Sequence, residues 1–236
     1  MNNTLTIARR EFRSYFNSPT AYIVGAVFLL VVSTMFWNSF FLEQHVTLRR
    51  LFFWAYCVSL FVAPALTMGL IAEERHTGTL ELLITYPVRD AEVVVGKYLG
   101  ALAMYAVLLL LTVPQAFSVA TLGALDVGPV VAGYMGLLLS GGAFLAIGIL
   151  SSSFASNQLT ALIVALAICA FFVVIRHFLY FMPEGMASTA EWLSFGYHFD
   201  SMERGVIDSR DVSYFLSVIG LSLGLAFRSL ESRLWK

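Results

Sequence analysis

The chain has 236 residues, of which 59% are hydrophobic and only 12% are charged, and its formal net charge is -1. Soluble domains carry about 25% charged residues, so this composition excludes an ordinary soluble domain and indicates a membrane protein. A net charge so close to zero also provides no basic surface for nucleic acid. We therefore expect an all-α membrane protein with lipid around much of its apolar surface.

A short amphipathic helix is predicted at 4–17, before the first long apolar run. Leu5, Ala8, Phe12 and Phe16 recur at helical spacing, and the arginines fall between them. This pattern is typical of a helix that lies in the membrane interface; a solvated tail is the alternative. The run that follows is too long for the core of a signal peptide, so we expect it to be retained.

About six apolar runs are predicted to cross the bilayer as helices. An α-helix of about 20 residues spans the hydrocarbon core. The runs are 20–41, 51–72, 98–125, 130–150, 159–175 and 212–227. Pro64 predicts a kink in the second run, and a serine-rich turn at 151–158 separates the fourth from the fifth. We expect 1–236 to form a single transmembrane domain.

The distribution of lysine and arginine predicts the orientation. Six spans place both termini on one face of the membrane. Nine of the 14 basic residues fall on that face and five on the other. Because loops on the cytoplasmic side carry the excess of lysine and arginine, both termini are expected in the cytoplasm.

A polar segment between the second and third spans has the pattern helix, break, helix. Gly78 suits the end of one helix, Thr79 the cap of the next, and Glu81 lies near its positive end. Leucines then give this short helix an apolar surface, and Pro87 ends it. Two explanations for that surface stay open: docking onto a partner protein, or packing on this protein's own helices.

Sequence motifs for catalysis, cofactors or metals are absent. Lys97 follows a glycine, but Tyr98 replaces the serine or threonine of a phosphate-binding loop, and Ala91 stands where its first glycine belongs. The histidines and cysteines lack metal-ligand spacing, and packing explains the two cysteines better than a disulfide or a metal site. We place no ionisable residue within the spans, which argues against a secondary transporter driven by ions. We expect no catalytic, cofactor or metal site in this chain.

The polar side chains deep in the predicted spans are candidates for a substrate path. They are Asn38, Trp54, Tyr56, Ser59 and Gln115. An amide in hydrocarbon is costly unless it is paired, so Gln115 should face a helix, a backbone carbonyl or a cavity. The alternative role for Gln115 is to satisfy a carbonyl freed by Pro114.

The loop before the last span predicts a short helical segment on the outer face. Ser188 to Glu191 read as a capping box. After it, Trp192, Phe195, Phe199, Met202 and Val206 recur at helical spacing. This amphipathic helix has two interpretations, a lid over the exit of a transport path or an aromatic belt at the membrane interface.

The string E-E-R-x-x-G-T-L-E-L-L-x-x-x-P, which begins at Glu73 and is followed by Gly96 and Lys97, resembles the signature of ABC-2 type permeases. These are the membrane subunits of ATP-binding cassette exporters. The resemblance implies that 79–86 is a cytoplasmic coupling helix inserted into a separate ATPase subunit. The residues it assigns to this coupling are Glu73, Glu74, Arg75, Gly78, Thr79, Leu80, Glu81, Leu82, Leu83 and Pro87. It also implies that 151–158 forms a second, smaller contact on the cytoplasmic side of the membrane.

The resemblance implies the partners as well. It predicts an ATPase subunit that carries ATP and magnesium, a second permease subunit (identical or different), and a location in the bacterial inner membrane. The segments 198–212 and 229–235 further resemble permeases associated with gliding motility. Two other functions stay open: a membrane anchor that transmits force from the ATPase without transport, and a secondary transporter that acts alone.

Overall fold

The computed structural model describes residues 3–43, 46–76, 90–178 and 184–231, and all regular structure within these ranges is helical. In chain order the helices are α1 (Asn3–Asn17), α2 (Pro19–Glu43), α3 (Arg49–Thr67), α4 (Ala72–His76), α5 (Asp90–Leu110), α6 (Val113–Leu122), α7 (Val127–Phe154), α8 (Gln158–Phe178), α9 (Glu184–Leu193), α10 (Phe195–Glu203) and α11 (Ser209–Glu231).

Six stretches of helix are long and apolar enough to cross a membrane. They are Pro19–Glu43, Arg49–Arg75, Asp90–Leu122, Val127–Phe154, Gln158–Arg176 and Ser209–Glu231. This confirms the predicted class, an all-α protein with six spans. The face that holds α1 is called the terminal face below, and the face that holds α9 and α10 is called the distal face.

The helix α7 is the centre of the bundle. Every residue from Ser140 to Ile149 is buried, and α7 packs against α3, α5, α8, α10 and α11. Glycines in α7 make this close packing possible: Gly133 faces the ring of Phe52, and Gly141 faces the ring of Tyr105. Because a β-carbon at either glycine would overlap those rings, the small residues bring the neighbouring helices close to α7.

The two prolines in the spans have different effects. Pro64 lies inside α3, which continues past it. Before Pro114, however, the chain breaks: α5 ends at Leu110, and α6 begins at Val113. A proline ring clashes with the carbonyl four residues earlier, which here belongs to Leu110. The predicted continuous run 98–125 is therefore two helices, and its first helix begins eight residues earlier than predicted, at Asp90.

The serine-rich segment is not the turn that its composition suggested. Ser151, Ser152 and Ser153 are buried and form the last turn of α7, which ends at Phe154. Ser151 donates to the carbonyl of Ile147 at 2.9 Å, so its hydroxyl is satisfied within the helix. The link to α8 is confined to 155–157. The prediction of a break across 151–158 is wrong for 151–154, which are helical.

The distal segment also differs from its prediction. Ser188 to Glu191 lie inside α9 rather than capping a helix, and the chain bends at Ser194 before α10 begins. The predicted apolar face is present, since Phe195, Phe199 and Met202 are each at most 2% exposed. That face packs inside the bundle, where Phe195 contacts Phe144 and Phe172. Phe195, Phe199 and Met202 therefore do not belong to a belt at the membrane interface, whereas Trp192 and Val206 of the predicted face are 60% and 59% exposed.

The N-terminal helix α1 packs on α5 and is not a solvated tail. Gly96 and Gly100 of α5 allow the approach: a β-carbon at Gly96 would lie 2.8 Å from Cβ of Ile7, and one at Gly100 would lie 2.7 Å from Cβ of Glu11. In contrast, Leu5 of α1 is 62% exposed. This helix therefore presents one face to the bundle and another to its surroundings.

Candidate functional site

The terminal face contains a buried ion cluster centred on Lys97. Its side chain is only 2% exposed, and Nζ lies 2.7 Å from Oε1 of Glu74 and 3.1 Å from Oε1 of Glu11. The three residues come from α5, α4 and α1. A buried ammonium needs opposite charge around it, so this cluster joins three separate parts of the chain.

A second polar contact holds α1 to the end of α3. The hydroxyl of Tyr15 donates to the carbonyl of Leu66 at 2.7 Å. Burial, and to a lesser degree the nearby carboxylate of Glu11, keeps the pKa of Tyr15 above its ordinary value. The phenol therefore stays a neutral donor, and α1 is attached to α3 as well as to α5.

The chain that leaves α3 is fixed to the end of α7. The backbone amides of Ile71 and Ala72 donate to Oγ of Ser152 at 3.1 and 3.0 Å, and that hydroxyl donates to the carbonyl of Met68 at 3.0 Å. Arg75 adds a hydrogen bond to the carbonyl of Ala155 at 3.3 Å. One serine thus satisfies the backbone at the turn between α3 and α4.

These contacts fix both ends of the segment predicted to couple the protein to an ATPase. Glu73, Glu74 and Arg75 lie in α4, which ends at His76, and α5 begins at Asp90. The predicted coupling helix 79–86 lies outside the described residues. So do the other residues assigned to it, which are Gly78, Thr79, Leu80, Glu81, Leu82, Leu83 and Pro87.

The candidates for a substrate path do not line one common surface. Asn38 is exposed on α2, whereas Tyr56 is only 5% exposed and Ser59 is fully buried in α3. Ser59 bonds to Tyr105 at 2.7 Å and donates to its own helix. Tyr56 stacks on Phe199 of α10, with ring centroids 4.5 Å apart. Trp54, which precedes Tyr56 by two residues in α3, is partly buried.

Gln115 has a different partner from the one its neighbour Pro114 suggested. Its Nε2 donates to Oγ of Ser33 in α2 instead of satisfying a carbonyl freed by the proline. Its Oε1 is buried and has no hydrogen-bond partner among the described residues. Gln115 therefore joins α6 to α2 and faces a helix.

The distal face has its own buried ionisable side chains. His198 lies 2.7 Å from Oδ1 of Asp211 through Nδ1 and 2.8 Å from the carbonyl of Trp192 through Nε2. Arg49 of α3 donates to Glu203 of α10 at 2.9 Å. Burial raises the pKa of Glu203, and the bond to Arg49 opposes that rise. These contacts tie α10 to α3 and α11.

The predicted spans 98–125 and 212–227 hold no ionisable residue, but the helices that contain them begin earlier, at Asp90 and Ser209, and include two buried ionisable residues. Lys97 is 1% exposed and Asp211 is 5% exposed, and both lie in helices that are long and apolar enough to cross a membrane. Each is close to an end of its span and has a charged or ionisable partner. The absence of buried charge is thus no argument against an ion-driven carrier.

Two signals in the sequence pointed to the terminal cluster. Glu11 is a single acid among the arginines of α1, and Lys97 lies between Gly96 and Gly100, which have the spacing of a close helix contact. Neither signal identifies its partner, because the pairing depends on how α1 folds back on α5.

The family follows from a comparison with known protein families. Residues 5–201 match the model of the ABC-2 family transporter proteins. The chain belongs to the ABC-2 transporter family. As a member of that family it is a multi-pass membrane component of a transport system and not the catalytic subunit. The match ends within α10 and does not include α11. A comparison with curated proteins found no match to this chain.

Proposed function

We propose that this protein is the permease subunit of an ATP-binding cassette exporter, driven by ATP hydrolysis in a separate ATPase subunit. The observation that carries the proposal is the fixed geometry of the terminal face. Lys97, Glu74 and Ser152 hold the chain on both sides of 77–89, which contains the predicted coupling helix 79–86. A force applied to that segment would reach α3, α5 and α7 through short, buried contacts.

The proposed assembly contains two permease subunits and two ATPase subunits, and ATP and magnesium bind to the ATPases. Both termini lie in the cytoplasm, and the membrane is the bacterial inner membrane. The likeness of 198–212 and 229–235 to permeases of gliding motility supports a subunit of that kind. Those residues overlap α10 and the buried pair His198 and Asp211 of the distal face.

The test is to change the coupling segment and to measure association with the ATPase. We expect Leu82→Asp and Glu81→Lys to abolish co-purification of ATP-hydrolysing activity with the tagged chain from its native membranes. A new or reversed charge at a docking surface leaves an unpaired charge in the interface, which costs several kcal/mol. Val206→Asp is the matched control, because Val206 is 59% exposed on the distal face.

Melting temperatures of the purified variants check that the helical bundle is intact, and we expect them to match that of the wild type. ATPase activity that co-purifies with both coupling variants as it does with the wild type would contradict the proposal. So would an equal loss in Val206→Asp. Export itself is tested by reconstituting the complex and measuring substrate on the far side of the membrane, which separates transport from force transmission alone.

A further inference from the structure

Both ring nitrogens of His198 lie against hydrogen-bond acceptors on the distal face. Nδ1 is 2.7 Å from Oδ1 of Asp211 in α11, and Nε2 is 2.8 Å from the backbone carbonyl oxygen of Trp192 in α9. The imidazole is 1% exposed and the carboxyl group is 7% exposed. A carbonyl oxygen accepts hydrogen bonds and donates none, so this geometry requires a proton on Nε2.

The contact between His198 and Asp211 requires one more proton. A neutral imidazole that is protonated at Nε2 has a lone pair at Nδ1, and this lone pair would face another acceptor if Asp211 were ionised. The contact is a hydrogen bond when Nδ1 is protonated as well, or when the proton lies on the carboxyl group. In both cases the pair holds one proton more than a neutral histidine and an ionised aspartate do.

Loss of this shared proton breaks one of two contacts between helices. If the remaining proton stays on Nε2, a lone pair faces the carboxylate of Asp211, and the contact between α10 and α11 is lost. If the proton moves to Nδ1, a lone pair faces the carbonyl of Trp192, and the contact between α10 and α9 is lost. Oδ2 of Asp211 is buried without a hydrogen-bond partner among the described residues, so it does not compensate for either loss.

The aromatic neighbours of His198 do not share the proton. Tyr214 of α11 stacks on the imidazole, with ring centroids 3.9 Å apart, but its hydroxyl donates to the carbonyl of Leu193. Trp192 and Tyr197 contact the imidazole with their rings nearly perpendicular to it. His198 and Tyr214 together therefore hold the last two carbonyls of α9.

The charged side chains around the pair bond to other groups or lie at the surface. Those that the structure describes on the neighbouring distal elements are Arg49 of α3, Arg176 of α8, Glu191 of α9, Asp200, Glu203 and Arg204 at α10, and Asp208 and Arg210 at the start of α11. Asp200 and Glu203 pair with the arginines of α3, α8 and α10. The other three are exposed, and α7 has no charged residue.

We propose that His198 and Asp211 form a proton-dependent latch on the distal face. The latch holds the bend between α9 and α10 on α11 while the shared proton is bound, and it releases α9 or α10 when the proton is lost. These two helices form the segment for which the sequence left a lid as one interpretation. The latch goes beyond the proposed function, and its test does not depend on an ATPase.

The experiment measures backbone hydrogen exchange in the purified chain from pH 5 to pH 10 by mass spectrometry. Exchange rates are divided by those of an unstructured chain at the same pH, so that only protection by structure is compared. We expect the protection of α9 to fall by about tenfold or more as the pH rises, because a hydrogen bond at a buried site is lost. The buried centre of α7 should keep its protection and is the internal reference.

Three variants assign this response. In Asp211→Asn the amide donates to Nδ1 while Nε2 keeps its proton for Trp192, so α9 should stay protected over the whole range. His198→Gln lacks the imidazole, so the protection of α9 should no longer depend on pH. Glu203→Gln is the matched control: it neutralises another buried carboxylate of the distal face, whose partner is Arg49, and it should keep the response of the wild type.

Constant protection of α9 from pH 5 to pH 10 in the wild type overturns the proposal. So does a pH response that survives in Asp211→Asn or in His198→Gln, and so does its loss in Glu203→Gln, because the proton then belongs to another group. Melting temperatures at pH 5 check that the variants are folded. If Asp211→Asn does not fold, the comparison of His198→Gln with Glu203→Gln decides.

Discussion

At the scale of single residues, Lys97 joins helices from three parts of the sequence, because its side chain in α5 contacts Glu11 of α1 and Glu74 of α4. Its two partners are carboxylates that are 14% and 20% exposed. A buried pair adds little net stability over an apolar contact, but the loss of one member leaves charge without compensation. The cluster therefore specifies where α1 and α4 lie more than it adds to overall stability.

Lys97→Met tests this account. We expect it to destabilise the folded chain by about 3–5 kcal/mol, since Glu11 and Glu74 then lack their shared cation. Thermal or denaturant unfolding in detergent measures the loss. The triple variant Lys97→Met, Glu11→Gln, Glu74→Gln is the control and should recover most of it. If Lys97→Met alone were as stable as the wild type, the ion cluster would not hold α1, α4 and α5 together.

At the scale of helices, the glycines of α7 and α11 have opposite surroundings. In α7, Gly141 faces the ring of Tyr105, whereas at Gly220 and Gly224 of α11 no atom from another part of the described chain lies within 4 Å of the position of a β-carbon. The spacing of four residues between Gly220 and Gly224 matches that of Gly96 and Gly100. The same motif thus marks a packed face in α5 and an open one in α11, and the sequence does not distinguish the two.

We expect Gly141→Ala to destabilise the bundle by about 1–3 kcal/mol, because the added methyl group forces the ring of Tyr105 to move. Gly220→Ala should be neutral or slightly stabilising, since alanine favours a helix by up to about 1 kcal/mol over glycine. The two substitutions are chemically identical, so their difference in melting temperature reports the packing alone. Equal effects would contradict the packing of α5 on α7.

The six spans could be predicted from the sequence because each follows from a long apolar run. The ends of the helices could not. Ser151 and Ser152 read as a break, but Ser151 donates to the carbonyl of Ile147 within α7, and Ser152 bonds to the backbone of Met68, Ile71 and Ala72. The site was predictable only in part, because Glu74 and Arg75 belong to the signature itself, whereas Glu11 reaches Lys97 through tertiary folding. Phe195 and Phe199 read as a surface belt because periodicity does not show what covers a face.

At the scale of the whole molecule, the ion pairs form two layers. One layer is the cluster of Lys97 on the terminal face. The other joins Arg49 to Glu203 and Arg176 to Asp200 on the distal face. Charged groups at both ends of the bundle suit a membrane whose two surfaces are polar and whose centre is not.

The orientation of these layers can be tested with single cysteines. In a background in which Cys57 and Cys169 are replaced by alanine, Asn3→Cys and Asp208→Cys place one thiol on each face; both positions are exposed. An impermeant maleimide applied to spheroplasts should label position 208 at once. We expect position 3 to react only after the membrane is opened. The reverse pattern would contradict cytoplasmic termini, and equal labelling of intact spheroplasts at both positions would contradict their location on opposite faces.

The cluster at Lys97 also has a consequence for the order of events during synthesis. Glu11 and Lys97 are 86 residues apart, so α1 leaves the ribosome well before the lysine that holds it exists. Until the third span has entered the membrane, α1 has neither its cation nor the groove of Gly96 and Gly100. Although α1 precedes every span, its ion cluster and its packing on α5 are therefore completed only when the third of the six spans is in place.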